Sequence, residues 1–575
     1  MLDKLVLPSE IQKFEEMVIK LEKGEISSDD FKKFRLNNGV YGIRQSDDTH
    51  MIRIKIPFGN LTPEQLDAVA SATEKYAPLK SGHITTRQCI QVHKIARHDV
   101  PKFLDVIGKS GLTTREACGN TVRNVTACPY SGVSKTEVFD VIPYGEVIVK
   151  YFLRNPLNQN LPRKFKIALE SCPEDHARTP IHDLGLVAAI RKENGREERG
   201  FKVYVGGGLG SHPVNAVLLE PFTPIDLLLP TCDAAVRIFD RMGNRKNRSR
   251  ARMKFLLEEW GADVFRKTIL DERATVLMTR SGLAYPEFHI EDEKAPAVVE
   301  KGENVSSSAF EQWKKTNVIA QKQNGFFAVQ IRCPLGDVDV RQMRAIAQIA
   351  KRFCGGRIRA TIAQNFILRW VPQDCLGSVY KELERIGLAA HGAERFVDVT
   401  RCPGADTCNL AITKSRGLAE ALGETFKNGL GKYADLLGIN IKISGCPNSC
   451  GQHHIADLGF YGTARNVNGK LVPHYELMIG GGTVEGKATF GTVSLRLPAR
   501  RVPDAVKRLV EIYQKEKKEN ETFQAFTQRM GIARINSEIE SFTKLGPVNE
   551  DAEAYQDWTD EAPFKLQVGK GECAA

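Results

Sequence analysis

The chain repeats itself, and the repeat limits what it can fold into more than any other feature. Residues 56–76, IPFGNLTPEQLDAVASATEKY, align without gaps on residues 333–353, CPLGDVDVRQMRAIAQIAKRF, at an offset of 277. Pro57, Gly59 and Gln65 recur as Pro334, Gly336 and Gln342. Thr62 and Asp339 each stand three residues before a glutamine, the reciprocal capping pattern that opens a helix. Leu66, Val69, Ala70 and Tyr76 match Met343, Ile346, Ala347 and Phe353 at the spacing of one helical face. Farther on the offset settles at 274, pairing Val125-Thr126 with Val399-Thr400, Cys128-Pro129 with Cys402-Pro403, and Cys172-Pro173 with Cys446-Pro447. Asp183-Leu184-Gly185 returns as Asp457-Leu458-Gly459, and the glycines 206–208 return as 480–482. A duplicated segment predicts a pseudo-two-fold α/β (α+β) molecule with room for a large ligand at the seam between copies.

Each copy reads as a short βα unit followed by a larger α/β unit. The expected divisions are an N-terminal extension 1–45, copy one over 46–115 and 116–285, a charged linker 286–322, copy two over 323–390 and 391–540, and an acidic, solvated tail 541–575 ending near a free thiol at Cys573. At 42% hydrophobic and 26% charged residues the chain can bury sizeable cores. The N-terminus MLDKLVLPSEIQKFEEM lacks the layout of a signal peptide, and no uncharged apolar run reaches the ~18 residues of a membrane span. A cytoplasmic protein is therefore expected, in which thirteen cysteines serve as ligands or buried thiols rather than disulfides. The net charge of +11 suits nucleic acid, an acidic protein partner or a cavity for anions, and nucleic-acid motifs are not apparent. Much of the excess lies in Arg245, Lys246, Arg248, Arg250, Arg252 and Lys254, which by themselves read as a solvated helix face.

Where the copies differ, chemistry shows. Copy two carries Cys402-x5-Cys408 and Cys446-x3-Cys450, 37 residues apart; copy one has Cys128, Ser134, Cys172 and His176 at the matching positions. Zinc ribbons favour two-residue gaps, so these wider ones lean toward a bulkier iron–sulfur cluster, with zinc or plain buried thiols as the other readings.

Cys-x5-Cys followed by Cys-Pro-Asn-x-Cys, set in a duplicated chain, resembles the signature of the sirohaem-containing nitrite and sulfite reductases. The resemblance extends from about residue 40 to about residue 535. It implies two ferredoxin-like half-domains and two larger sirohaem and Fe–S domains. It further implies a 4Fe-4S cluster on Cys402, Cys408, Cys446 and Cys450, with the Cys450 thiolate shared with the sirohaem iron. Sirohaem carries many carboxylates, whose burial demands charge-assisted hydrogen bonds. By the same resemblance Arg87, Gln88, Arg163, Arg248, Arg252, Lys254, Gln364 and Asn365 surround the macrocycle. The glycines 206–208, after the strand-like FKVYV, either bring backbone to the ligand or form a packing turn. In HMIRIKI, Arg53 alternates with isoleucines, and in LPRKFKIAL, Lys164 and Lys166 share one face. The resemblance assigns Arg53, Arg123, Lys164 and Lys166 to the oxyanion bound at the open face of the iron, where cations favour its reduction.

Asn at the second lysine position marks plant-type nitrite reductases and Lys marks sulfite reductases, so Lys166 favours sulfite, with nitrite as the alternative. Tyr41 and Cys118 match positions joined as a thioether in some ferredoxin-dependent members. Neither a flavin nor a nicotinamide fingerprint is present, so electrons are expected from a separate donor, and the basic chain favours an acidic ferredoxin. Dissimilatory relatives carry an inserted ferredoxin module; no matching cysteine run occurs here, and the role implied is assimilatory. His93, His453 and His454 read as structural. From other classes, a non-catalytic zinc or Fe–S scaffold and a basic RNA-binding protein are the competing readings.

Overall fold

The strongest alternation and the two capping boxes appear where the sequence places them. In the computed structural model, which describes residues 5–44, 46–193, 195–279, 285–291, 293–296, 300–430, 439–467 and 469–569, the strand Ser46–Ile54 buries Ile52 and Ile54, with Ile56 buried just beyond it. Cys573 lies outside the described residues. Thr62 caps the helix Pro63–Tyr76 and Asp339 caps Val340–Phe353, each with the full reciprocal pair of bonds to the glutamine three residues on. These helices pack on one another and share one core, which includes Leu66, Val69, Met343 and Ile346.

Four five-stranded sheets follow from the duplication. The two smaller are antiparallel, and each borrows its last strand from the other copy. Val40–Ile43, Ser46–Ile54, Ile90–Ala96 and Ser81–Ile84 are completed by Asp337–Asp339 of copy two. Val318–Ala320, Phe326–Ile331, Phe366–Pro372 and Ile358–Ala360 are completed by Asn60–Leu61 of copy one. The exchange starts at a sharp turn. Phe58 and Gly59 (φ 58° and 75°), like Leu335 and Gly336 (φ 60° and 72°), are left-handed and redirect the chain into the neighbouring sheet. A side chain at Gly59 would meet the Ala360 carbonyl oxygen at 2.1 Å, so only glycine allows the crossing.

The two larger sheets are mixed. Thr126–Ala127, Ile167–Glu170 and Leu184–Glu193 run parallel in one, as do Thr400–Arg401, Ile441–Ser444 and Leu458–Val467 in the other, and antiparallel strands extend both.

Several expectations need correction. The strand Val40–Ile43 already belongs to the first sheet, so the N-terminal extension ends before residue 45. The linker contains the helix Ser308–Asn317, with Phe310 and Trp313 buried, and the first strand of the second small sheet. Lys164 and Lys166 precede the strand Ile167–Glu170 rather than lie in it, although the alternation holds, with Phe165 buried between them. The basic run is a loop and a short turn, Arg248–Arg250, leading into the helix Met253–Trp260, not a solvated helix face. The acidic tail is not a solvated extension. Ala554, Tyr555 and Asp557 are buried, Asp551 pairs with Arg501, and Arg500 lies over the Trp558 ring at 4.5 Å. No helix of the described residues is long and apolar enough to cross a membrane.

Candidate functional site

Thr400–Arg401 and Ile441–Ser444 are adjacent parallel strands, so the loops leaving their carboxyl ends converge. Those loops carry Cys402 and Cys408 on one side and Cys446 and Cys450 on the other. The four thiols are unbonded, and all but Cys450 are largely buried. Gly445 N–H donates to Cys402 Sγ at 3.2 Å, and Asn448 donates to Cys446 Sγ at 3.5 Å, as suits sulfurs that will carry negative charge. Burial, then Cys450 and Cys402 beside it, push the Cys408 thiol up to about 11. Burial and Cys450 raise Cys402 and Cys446 in the same direction. Such thiols stay protonated until a cation replaces the proton. Among the described residues, one group of three or more donor atoms lies within 4.8 Å of one another, and it is not this one. The four sulfurs are thus spread more widely than a single tetrahedral ion would hold them, which fits a cluster and argues against zinc here.

Beside these loops lies a cluster of cations. Thr86 donates to the Cys450 carbonyl at 3.0 Å, joining the ITTRQ turn to the cysteine loop; nothing in the sequence singled it out. Next to it Arg87 is half-buried, donates to His182 Nε2 at 2.8 Å, and is lowered by desolvation to about 10. Lys166 is held well below the usual lysine range by burial, then by Arg252, Arg87 and Lys164. Arg252 grips Asp183 with both carboxylate oxygens, at 2.9 and 2.8 Å, and Asp183 also accepts the Lys166 backbone N–H at 2.9 Å. Asp183 was visible only as part of a repeated Asp-Leu-Gly, yet it fixes both cationic segments. Lys254 donates to the Leu209 carbonyl at 3.0 Å and is lowered to about 8 by burial and Arg252. A side chain at Gly208 would meet Arg252 at 2.9 Å and one at Gly207 the Pro180 carbonyl at 2.2 Å, so the glycine triple lets backbone and cation pack closely.

On the copy-one side, Arg123 donates to the Gly119 and Ala117 carbonyls at 2.8 and 3.1 Å and to the Tyr41 hydroxyl at 3.4 Å. The Arg53 guanidinium lies 5.3 Å from the centre of the Tyr41 ring, with buried Cys118 near enough to influence its charge. Tyr41 and Cys118 therefore share one neighbourhood. Arg163, Lys164 and Arg248 are half-buried.

Three amide residues do something other than expected. Gln88 donates to the Phe58 and Ala360 carbonyls, both at 3.0 Å, and accepts from Ala127 N–H at 2.9 Å. Gln364 donates to the Ile84 carbonyl at 2.8 Å and accepts from Arg401 N–H at 2.8 Å. Asn365 accepts from Cys333 N–H at 2.8 Å and donates to Asp398 at 2.6 Å. With both ends of each amide engaged, these residues fasten hairpins to the larger sheets and position the cations beside them. By contrast, Arg87 Nε, Ser449 Oγ and both ring nitrogens of His453 are buried without partners among the described residues. Unpaired buried polar atoms beside the cysteine loop and the Arg87 turn suit a large polar prosthetic group between them.

Comparisons with known proteins agree with this geometry. The profile of the nitrite and sulphite reductase 4Fe-4S domain matches residues 118–277 and 392–544, and that of the nitrite/sulfite reductase ferredoxin-like half domain matches 41–110 and 319–386. The chain is 26% identical over 540 residues to the assimilatory ferredoxin-dependent nitrite reductase of Haloferax mediterranei, covering 91% of this chain and 90% of that protein. It is 29% identical over 452 residues to sulfite reductase (ferredoxin) 1 of Mycolicibacterium paratuberculosis, covering 78% and 76%. Among solved structures, the NirA protein of Mycobacterium tuberculosis superposes with a TM-score of 0.76 at 25% identity, over 92% of this chain and 97% of that one.

Proposed function

The chain belongs to the nitrite and sulphite reductase family, and from that premise we propose that it reduces sulfite to sulfide, using six electrons delivered one at a time by a ferredoxin. The cofactors this membership implies are a 4Fe-4S cluster, held by Cys402, Cys408, Cys446 and Cys450, and a sirohaem beside the clustered cations. Arg87, Arg252 and Lys254 would meet its carboxylates. When bound, the two groups supply the electrons.

The observation that carries the substrate reading is Lys166. Its ammonium stands among Arg252, Arg87 and Lys164, and Asp183, already paired with Arg252, offsets part of their charge. An anion bound beside Lys166 would let these groups be charged together at less cost. Arg53, Arg123, Lys164 and Lys166 then hold the oxyanion, reduce its negative charge, and supply N–H donors beside the oxygens that leave as water. Arg123 is buried and the other three are half-buried, which limits screening of the contacts by bulk water. A second lysine helps most when the anion carries more charge, which favours sulfite. The second reading is nitrite, supported by the Haloferax mediterranei assimilatory nitrite reductase and by a Synechococcus elongatus ferredoxin–nitrite reductase, 28% identical over 441 residues.

The test has two parts. The visible spectrum of the purified protein should show sirohaem; a colourless protein would end the proposal. With one dye donor, Lys166→Asn should lower the ratio of sulfite to nitrite kcat/KM. A lost charge-assisted contact of about 1.5–3 kcal/mol corresponds to a ten- to hundredfold fall for sulfite. An unchanged ratio would leave nitrite as the better reading.

A further inference from the structure

The counterpart of the cysteine tetrad in copy one is a second, tighter donor cluster. It lies at the carboxyl ends of Thr126–Ala127 and Ile167–Glu170, the strands equivalent to those that carry the tetrad. Two cysteines of the pattern have been replaced, by Ser134 and His176, while Cys128 and Cys172 are kept. Cys128 Sγ stands 3.8 Å from Cys172 Sγ and 3.6 Å from His176 Nδ1. With a carboxylate oxygen of Glu170, the four donor atoms all lie within 4.8 Å of one another. Tetrahedral zinc, with Zn–S about 2.3 Å and Zn–N about 2.0 Å, sets sulfur pairs about 3.8 Å apart and sulfur–nitrogen pairs about 3.5 Å apart. The observed spacings match these edges.

Glu170 makes the change in donor set clearer. Copy two has Ser444 at this position, whose hydroxyl accepts Gly451 N–H at 3.0 Å. Glu170 keeps that role, accepting the equivalent Ala177 N–H at 2.6 Å, and its other oxygen accepts Ser171 and Cys172 N–H at 2.8 Å each. Three backbone donors hold the carboxylate beside the two sulfurs, with lone pairs left for a cation. Copy two thus offers four thiols spread for a cluster, whereas copy one offers two sulfurs, one imidazole and one carboxylate gathered for a single ion.

We propose that Cys128, Cys172, His176 and Glu170 bind one zinc ion in a structural site distinct from the cluster. Both thiols give up their protons on binding, and no electron moves because zinc has no redox chemistry here. The site is placed to brace the seam between copies. Cys128, Tyr130, Val133 and Cys172 pack with Ala328, Ile367 and Trp370 of the second small sheet. Tyr130 meets the His176 ring edge-on at 4.8 Å, and Arg359 of copy two donates to the Pro129 and Ser131 carbonyls at 3.1 and 3.0 Å. His176 is the one member of the four that is not fully buried, which leaves a side for the ion to enter.

The test is elemental analysis of the holoenzyme, purified without a histidine tag or chelator and supplied with zinc salt. One zinc per chain is expected alongside the iron, and Cys172→Ser and His176→Gln should each lose the zinc while keeping the iron content and the visible spectrum. Zinc K-edge absorption of the unaltered protein needs no variant and should show two sulfur and two nitrogen or oxygen ligands. Absence of zinc, a four-sulfur shell, variants that retain zinc, or a Cys128–Cys172 disulfide in the purified protein would each overturn the proposal. Loss of iron and spectrum in the unaltered protein would instead count against the sirohaem reading.

Discussion

A lysine ammonium set beside two guanidinium groups and a second ammonium gains from the company of an anion, and this turns one side chain into a pH response. Lys166 is lowered by burial and then by Arg252, Arg87 and Lys164, so it gives up its proton more readily before the oxyanion arrives than after. A bound anion raises its affinity for the proton. Binding should therefore take up a proton, and nitrite affinity should fall as pH rises between the lowered and restored values, by at most about tenfold per pH unit. Calorimetry of nitrite binding in two buffers of different ionisation heat reads the uptake directly. Lys166→Met should remove it, and equal uptake in both proteins would place the proton elsewhere. Cysteine spacing and alternating cations leave a trace in sequence, which is why those candidates stand out there. Gln88, Gln364 and Asn365 were placed around the macrocycle by family resemblance, whereas the fold engages both ends of each amide with protein partners. Asp183 and Thr86 had no local signature, since each acts on a segment distant in sequence.

The helices with full capping boxes and the strands with strict alternation formed as their local patterns require, because hydrogen bonding and burial there are settled within a few residues. The turn at Phe58-Gly59 is different, since its partner is the other copy. Replacing a left-handed glycine by alanine costs about 1 kcal/mol where space is free. Gly24, at φ 72° with nothing within 4 Å of an added Cβ, should show that cost alone. Gly59→Ala adds a collision with the Ala360 carbonyl on the borrowed strand. Thermal unfolding and soluble yield should therefore be affected far more by Gly59→Ala than by Gly24→Ala, and equal effects would mean the strand exchange tolerates a side chain. The tail shows the converse limit. Its charges read as a solvated segment, yet Lys414, Arg500 and Arg501 meet them from distant parts of copy two: Asp557 accepts Lys414 N–H at 2.8 Å, and Arg501 pairs with Asp551 at 2.7 Å.

At the scale of the whole molecule, a net charge of +11 bears on how an electron donor would approach. An acidic ferredoxin attracted by that net charge should bind more weakly as salt rises, with the Debye length falling from about 10 Å at 0.1 M to about 3 Å at 1 M. A small dye should respond much less, and identical salt profiles for the two donors would exclude electrostatic docking. The chain's own sequence determined the duplication, the two kinds of unit and the capped helices, because each is written in spacing over short or repeated stretches. Tertiary structure alone decided that each small sheet takes a strand from the opposite copy, that the tail folds onto the cluster domain, and that Cys128, Cys172, His176 and Glu170 close into one compact set. The physical reason is common to all three. A borrowed strand, a folded tail and a donor set depend on which distant backbone groups and charges become neighbours, and a sequence read by itself carries the groups but not the distances between them.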